Sequence, residues 1–246
     1  MTDTDIEIRD LSLLTPSELE AALAERPLAY VPCGLVEWHG QHLPLGLDGL
    51  KIQGILRRCV AATGGVLLPI NWIGAPGFGA FCGTLTYPPE LVRQLLTLQL
   101  AQCAKLGARV IALVTGHYGS CQVETVTHAA ADFAAEHPGI RVLVRPEYEG
   151  VEVSGSVPAD HAGKWETSMA LALFPEHVHM DRHRPGEEAI VRYGEEHAVW
   201  DAERRPWVWS EDLRLTASAE LGERAVGAIV ERITADVEAL CREAGI

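Results

Sequence analysis

No Cys-x-x-Cys pair occurs in this 246-residue chain. Its six cysteines, Cys33, Cys59, Cys82, Cys103, Cys121 and Cys241, are scattered, several within apolar runs. That spacing excludes a zinc knuckle or a disulfide frame and reads as free thiols in a reducing cytoplasm. Basic residues are also scarce: 20 Lys and Arg stand against 34 Asp and Glu, a formal net charge of −14. A surface of that sign repels phosphate backbones and anionic lipid, so nucleic acid and membranes are poor partners. The first ten residues, MTDTDIEIRD, lack the apolar core of a signal peptide. There is no Gly-x-Ser-x-Gly elbow and no Walker loop, and Gly77-Phe78-Gly79 with Gly83 misses the dinucleotide-binding spacing by one residue. Residues 60–89 lack any charge over a length that would cross a bilayer, but Pro69, Asn71, Pro76 and six glycines break the run. It reads as a strand followed by a buried, uncharged loop.

What remains is an ordinary globular mixture, 48% apolar and 22% charged, in a chain long enough to bury a core without covalent staples. Thr15-Pro16-Ser17-Glu18 is a capping box with proline at the first helical position, which predicts a helix to about Glu25. Strands are predicted over residues 28–34, 66–73, 109–115 and 140–144 from short apolar runs. Helical spacing falls over 48–62, from Pro88-Pro89 to Gly107 with Leu91, Leu95, Leu98 and Leu106 on its faces, and over 123–136 and 166–173. Val226, Ile229, Val230, Ile233, Val237 and Leu240 make one stripe on a closing helix. Strands alternating with helices predict a mostly parallel sheet covered on both faces, a three-layer α/β/α sandwich. With no linker, repeat or low-complexity segment, one domain is expected across 1–246. Residues 181–213 are the least regular, and their Trp200, Trp207 and Trp209 suggest a lid or a subunit contact.

Open α/β sheets bind ligands beyond the carboxyl ends of their strands, and three polar clusters stand there. The first strand runs into Glu37-Trp38-His39-Gly40-Gln41-His42 and on to Asp48, the third into Gly116-His117-Tyr118-Gly119, and Asp160-His161 precedes Glu166 at a helix start. In extended backbone Glu37 and His39 point the same way. Three carboxylates (Glu37, Asp48, Glu166) and two histidines (His39, His117) suit one or two divalent ions such as Zn²⁺ or Mn²⁺. Taken singly, each has a plainer reading as a turn residue or a helix cap. His42 is read as supporting the site or the fold and not as a ligand. His128, His137, His177, His179, His183 and His197 are read as surface or core residues, and Cys121 as core.

Together these motifs resemble the creatininase (creatinine amidohydrolase) family. The resemblance rests on Glu37-x-His39-Gly40-x-His42-Leu43-Pro44 with Asp48, Phe81-x-Gly83-Thr84, Gly116-His117-x-Gly119, and His161-Ala162-Gly163-x-x-Glu166-Thr167-Ser168. It implies an α/β/α sandwich with two divalent ions, Zn²⁺ and/or Mn²⁺ with iron as a further option, that hydrolyses an amide C–N bond through a metal-activated water. It also implies a homo-oligomer, often a hexamer. Carried over by position, Glu37, His39, Asp48, His117 and Glu166 become metal ligands with Asp48 bridging. His161 and Asp160 become the groups that deliver a proton to the leaving nitrogen. Gly119 stands where creatininase itself has a glutamate, Thr115 and Ser120 where the wider family has asparagines, and Phe78 where it has a histidine. These departures argue against creatinine as substrate and toward another small, fairly apolar or cyclic amide or a formamide. A peptide-processing hydrolase of the same family and a non-catalytic metal-binding scaffold are the alternatives.

Overall fold

The computed structural model describes residues 9–190, 192 and 207–246. Four parallel strands form one sheet in the order β2-β1-β3-β4: β1 Leu28–Cys33, β2 Val66–Leu67, β3 Val110–Thr115 and β4 Arg141–Pro146. The register pairs Leu28 with Val110 and Cys33 with Thr115, so β1 and β3 end level with each other. Each strand is followed by a helix: α2 Leu47–Thr63, α3 Pro89–Leu106, α4 Ser120–Glu136 and α5 Lys164–Leu173. α1 Pro16–Glu25 precedes the sheet, and α6 Leu213–Thr216 and α7 Ala219–Ala244 close the chain.

The two-residue period of the strands sorts their side chains into two cores. Leu28, Tyr30, Val110, Ala112 and Val114 face α2, α5 and α7, while Ala29, Val31, Cys33, Ile111 and Leu113 face α1, α3 and α4. This is the expected three-layer sandwich. The α7 stripe is buried through Val226, Ile229, Ile233 and Val237, and each such side chain removed from water stabilises the fold by about 1.5–3 kcal/mol.

The second strand is shorter than residues 66–73 predict. Its ladder covers only Val66–Leu67, because Pro69 has no N–H to give and the chain leaves the sheet there. It returns once at Asn71, whose N–H donates to the Pro32 carbonyl at 3.0 Å. The same break explains a proline inside a central strand: Pro32 lies beyond the end of the β2 ladder, where no donor is required. On α3 the buried face is Val92, Leu96, Leu100 and Cys103. Leu91, Leu95, Leu98 and Leu106 instead reach solvent, Leu98 with 64% of its surface exposed. Among the described residues no helix is long and apolar enough to cross a membrane.

Candidate metal centre

The carboxyl ends of β1 and β3, the first turn of α2 and the first turn of α5 converge. Glu37 and His39 follow β1, Asp48 lies in the first turn of α2, His117 follows β3, and Glu166 lies in the first turn of α5. All five are buried. Glycine makes this convergence possible at two points. A Cβ on Gly116 would lie 2.3 Å from the Asp48 carbonyl oxygen, and one on Gly77 would lie 1.8 Å from Glu37 Oε1. The uncharged loop after β2 therefore descends onto Glu37, and the Phe78 N–H donates to the same Oε1 at 2.5 Å. Gln122 anchors that loop by accepting the Ala75 N–H at 2.7 Å.

Three overlapping groups result, each with ligand atoms within 4.8 Å of one another: Glu37, Asp48 and His117; His39, Asp48 and Glu166; and Glu37, His39 and His161. Asp48 belongs to the first two: Oδ1 lies 3.2 Å from His39 Nε2, and Oδ2 lies 3.4 Å from His117 Nδ1. Glu37 and His39 thus converge as their spacing predicts: each sits in its own Asp48 group, and the two meet again in the group with His161. Both rings are oriented from behind. His39 Nδ1–H donates to the Glu37 carbonyl and His117 Nε2–H to the Ala75 carbonyl, each at 3.1 Å. That leaves the other nitrogen of each ring as a lone pair against carboxylate oxygens at 3.1–3.5 Å. Lone pairs facing carboxylates repel unless a cation lies between them. The spacing also equals the separation of about 3.4 Å between two ligands of one tetrahedral ion with bonds near 2.1 Å. His39 Nε2 and Asp48 Oδ2 are buried with no hydrogen-bond partner among the described residues. The donor set therefore fits divalent metal. In the metal-free chain protons take the ions' part. Burial alone would lower His39, but Asp48, Glu166 and Glu37 outweigh it and raise the ring to about 9. His117 is raised the same way by Glu37 and Asp48 against its burial. Burial would lift Asp48, yet the two rings hold it below the usual carboxylate range.

His161 lies over the two Asp48 groups, its ring 4.5 Å from that of His39 and stacked on Phe78 at 3.8 Å. Its Nε2–H donates to the Trp38 carbonyl at 2.9 Å, which leaves Nδ1 as an acceptor. Burial, with His39 adding, pushes it down to about 3, so the ring is neutral. Asp160 spends both carboxylate oxygens on the start of α5, accepting from Trp165 N at 2.7 Å and Glu166 N at 3.1 Å. Burial and the Glu166 charge lift it to about 6. A cavity of about 340 Å³ opens over the centre, walled by Phe78, Tyr118, Gly119, His161 and Trp207.

His42 is buried, is bonded through Nε2 to the Thr167 hydroxyl and joins none of the groups. Phe81 stacks on Trp38 at 4.3 Å, and Thr84 accepts the Trp38 N–H at 2.9 Å, so that motif braces the chain between Glu37 and His39. Of the tryptophan-rich segment, Trp207 meets Phe78 and His161 edge-on at 5.1 and 5.2 Å, and Trp209 Nε1–H donates to the Ala162 carbonyl at 2.9 Å. Trp200 and His197 lie outside the described residues. Three contributors were missed in the sequence. Lys51, fully buried on α2, lies 2.7 Å from both Glu166 and Glu147, and the Tyr118 hydroxyl shares its proton between the Asp160 carbonyl at 2.7 Å and Glu166 at 2.8 Å. Burial alone would lower Lys51, but Glu147 and Glu166 outweigh it and hold the ammonium above the ordinary lysine range. Burial pushes Glu147 up to about 8, with Lys51 pulling it back. Their signals were Lys51's place three residues after Asp48 on one helical face, and a charged Glu147 just past the carboxyl end of β4.

A family model described as creatinine amidohydrolase, Creatininase, matches residues 12–237. The chain belongs to the creatininase family. Creatininase-family members are metal-dependent amidohydrolases. A mycofactocin precursor peptide peptidase of Mycobacterium ulcerans (strain Agy99) is 32% identical over 193 residues, 73% of this chain and 70% of that protein. A creatinine amidohydrolase of Pseudomonas putida is 25% identical over 196 residues, 69% of this chain and 73% of its own. A solved structure of creatininase with Mn superposes at a TM-score of 0.79 and 23% identity, over 96% of this chain and 99% of that one. The creatininase sandwich is thereby the fold of this chain.

Proposed function

We propose that this creatininase-family chain hydrolyses an amide C–N bond of a small, neutral, largely apolar substrate. The observation that carries the reading is the pair of histidines whose outer nitrogens are tied to backbone carbonyls while their inner lone pairs face carboxylates. Glu37, Asp48 and His117 would hold one divalent ion, and His39, Asp48 and Glu166 the other, with Zn²⁺ and Mn²⁺ both suited to nitrogen and oxygen ligands. Such ions supply Lewis acidity and a water that is nucleophilic near neutral pH.

The chain's own groups do the rest. His161, with Nε2–H engaged by Trp38, accepts a proton at Nδ1 and returns it to the leaving nitrogen. Phe78 and Trp207 flank that ring and keep water from its apolar side. Asp160 holds the first turn of α5, and so Glu166, in place; we assign it this positioning task ahead of direct proton transfer. Gly119 brings no carboxylate to the cavity, which supports a substrate other than creatinine. A peptide substrate is the second reading, favoured by the 32% identity to a peptidase. Free cysteines support a cytoplasmic protein, and the exposed leucines of α3 support a homo-oligomer.

Elemental analysis tests the metal assignment, with one to two divalent ions per chain expected. No metal after chelator-free purification, and no uptake of Zn²⁺ or Mn²⁺, would falsify it. Assay of the loaded protein against cyclic amides, formamides and short peptides separates the two substrate readings. Light scattering reads the subunit count.

A further inference from the structure

Behind the metal-facing carboxylates lies a cation with no solvent contact. Lys51 is 0% exposed, and its Nζ donates to Glu166 Oε1 at 2.7 Å with Glu147 Oε1 at the same distance. Its ammonium also sits 4.6 Å from the centre of the Tyr118 ring, whose hydroxyl shares its one proton between the Asp160 carbonyl at 2.7 Å and the same Glu166 oxygen at 2.8 Å. The opposite oxygen, Oε2, accepts the Ala162 N–H at 2.7 Å and lies 3.5 Å from His39 Nε2. Glu37, Asp48 and Glu166 bring three carboxylates into one buried cluster, and the carboxyl group of Glu147 stands behind them. Burying a lysine is expensive unless its charge is compensated, and leaving these carboxylates without a counter-charge would be more so.

We propose that Lys51 is a resident counter-cation for Glu166, supplying positive charge that lets the folded chain present its metal-facing carboxylates before any ion arrives. This rests on the metal reading above. It carries a signed consequence. An ammonium and a divalent ion compete for the same carboxylate, so Lys51 stabilises the metal-free protein more than the loaded one. By linkage it weakens metal binding. A residue that merely aimed Glu166 would do the opposite, because losing the aim loses affinity.

The test compares wild type, Lys51→Met and Tyr118→Phe, each stripped with chelator and each reloaded with Zn²⁺. Thermal denaturation is followed in both states, and Zn²⁺ affinity is measured against a competing chelator. The expected result is that metal-free Lys51→Met melts below metal-free wild type, while the loaded pair melts closer together. Its Zn²⁺ affinity should rise by about 10–100-fold, the range in which residues supporting a metal's ligands act. Tyr118→Phe, which removes a bond to the same oxygen without changing charge, should show no such rise. A Lys51→Met protein that folds only when Zn²⁺ is present also supports the proposal. Weaker or unchanged affinity, equal losses of stability in the two states, or failure to fold even with saturating Zn²⁺ each overturn it. If wild type takes up no Zn²⁺, the metal reading itself fails, and that result is distinct from all of these.

Discussion

Replacing Gly77 with alanine probes the metal centre without replacing a candidate ligand. The new Cβ would stand 1.8 Å from Glu37 Oε1 and 2.8 Å from His117 Cε1. Ordinary contact begins near 3.4 Å, so the loop or the carboxylate must give way by roughly 1.6 Å. Either movement breaks the Phe78 N–H to Glu37 bond, a charge-assisted interaction of about 1.5–3 kcal/mol. It also withdraws Glu37 Oε2 from His117 Nδ1, 3.1 Å away. The group of His39, Asp48 and Glu166 has no part in this contact. Gly77→Ala should therefore lose the Glu37-side ion, with affinity down about 10–100-fold, and keep the other. Elemental analysis after dialysis against a weak chelator reads this as a fall from two ions per chain toward one, with circular dichroism unchanged. Full stoichiometry at wild-type affinity would mean that Glu37 is not a ligand.

Three further outcomes are expected. Asp48→Ala, which takes an oxygen from each of its two groups, should release both ions, His39→Ala one and His42→Ala none; equal losses in all three would refute the ligand assignment. His161→Ala should keep its metal and fold but lose about 10²–10⁴ in turnover on whichever amide is found, and near-normal turnover would remove it from the mechanism. Metal binding should also release protons. His39 is raised to about 9 and His117 is raised as well in the metal-free chain, so below that pH an ion must displace protons and affinity should climb as pH rises from 6 toward 9. Calorimetry in buffers of different ionisation enthalpy counts the protons, and an affinity flat across that range would contradict the arrangement of these rings.

Glu37, His39 and His117 are legible as candidate ligands because they follow strands that announce themselves. A run such as VIALVT can only be buried, and a histidine two residues after it falls at the open edge of the sheet. The Glu37–His39 spacing shows convergence but not the division into one group with His117 and another with Glu166, which depends on where α2 and α5 start in space. Lys51 was hidden because a lysine on an amphipathic helix reads as its wet side, and only the partners Glu147 and Glu166, distant in sequence, reverse that. Asp160 read as an acid beside a histidine; its bonds to the first turn of α5 are local backbone geometry that no spacing rule exposes. The α3 leucines lie all round their helix, so periodicity could not select the face carrying Val92 and Leu96. Residues 66–73 read as one strand because the run is mostly apolar, yet Pro69 ends the ladder at Leu67.

Glu37 and His117 follow neighbouring strands joined by the β1–β3 ladder, while Asp48 comes from α2 and Glu166 from a helix that docks on α7. The candidate ligands therefore come together only after strands and helices from residue 37 to residue 166 have assembled. A metal ion cannot nucleate such a structure as it does in a small zinc module, where nearby ligands close a short loop. Uptake that uses ligands from all these segments is expected to follow the non-local steps of folding. In a cell with little free metal, loading after folding would set how fast active protein accumulates.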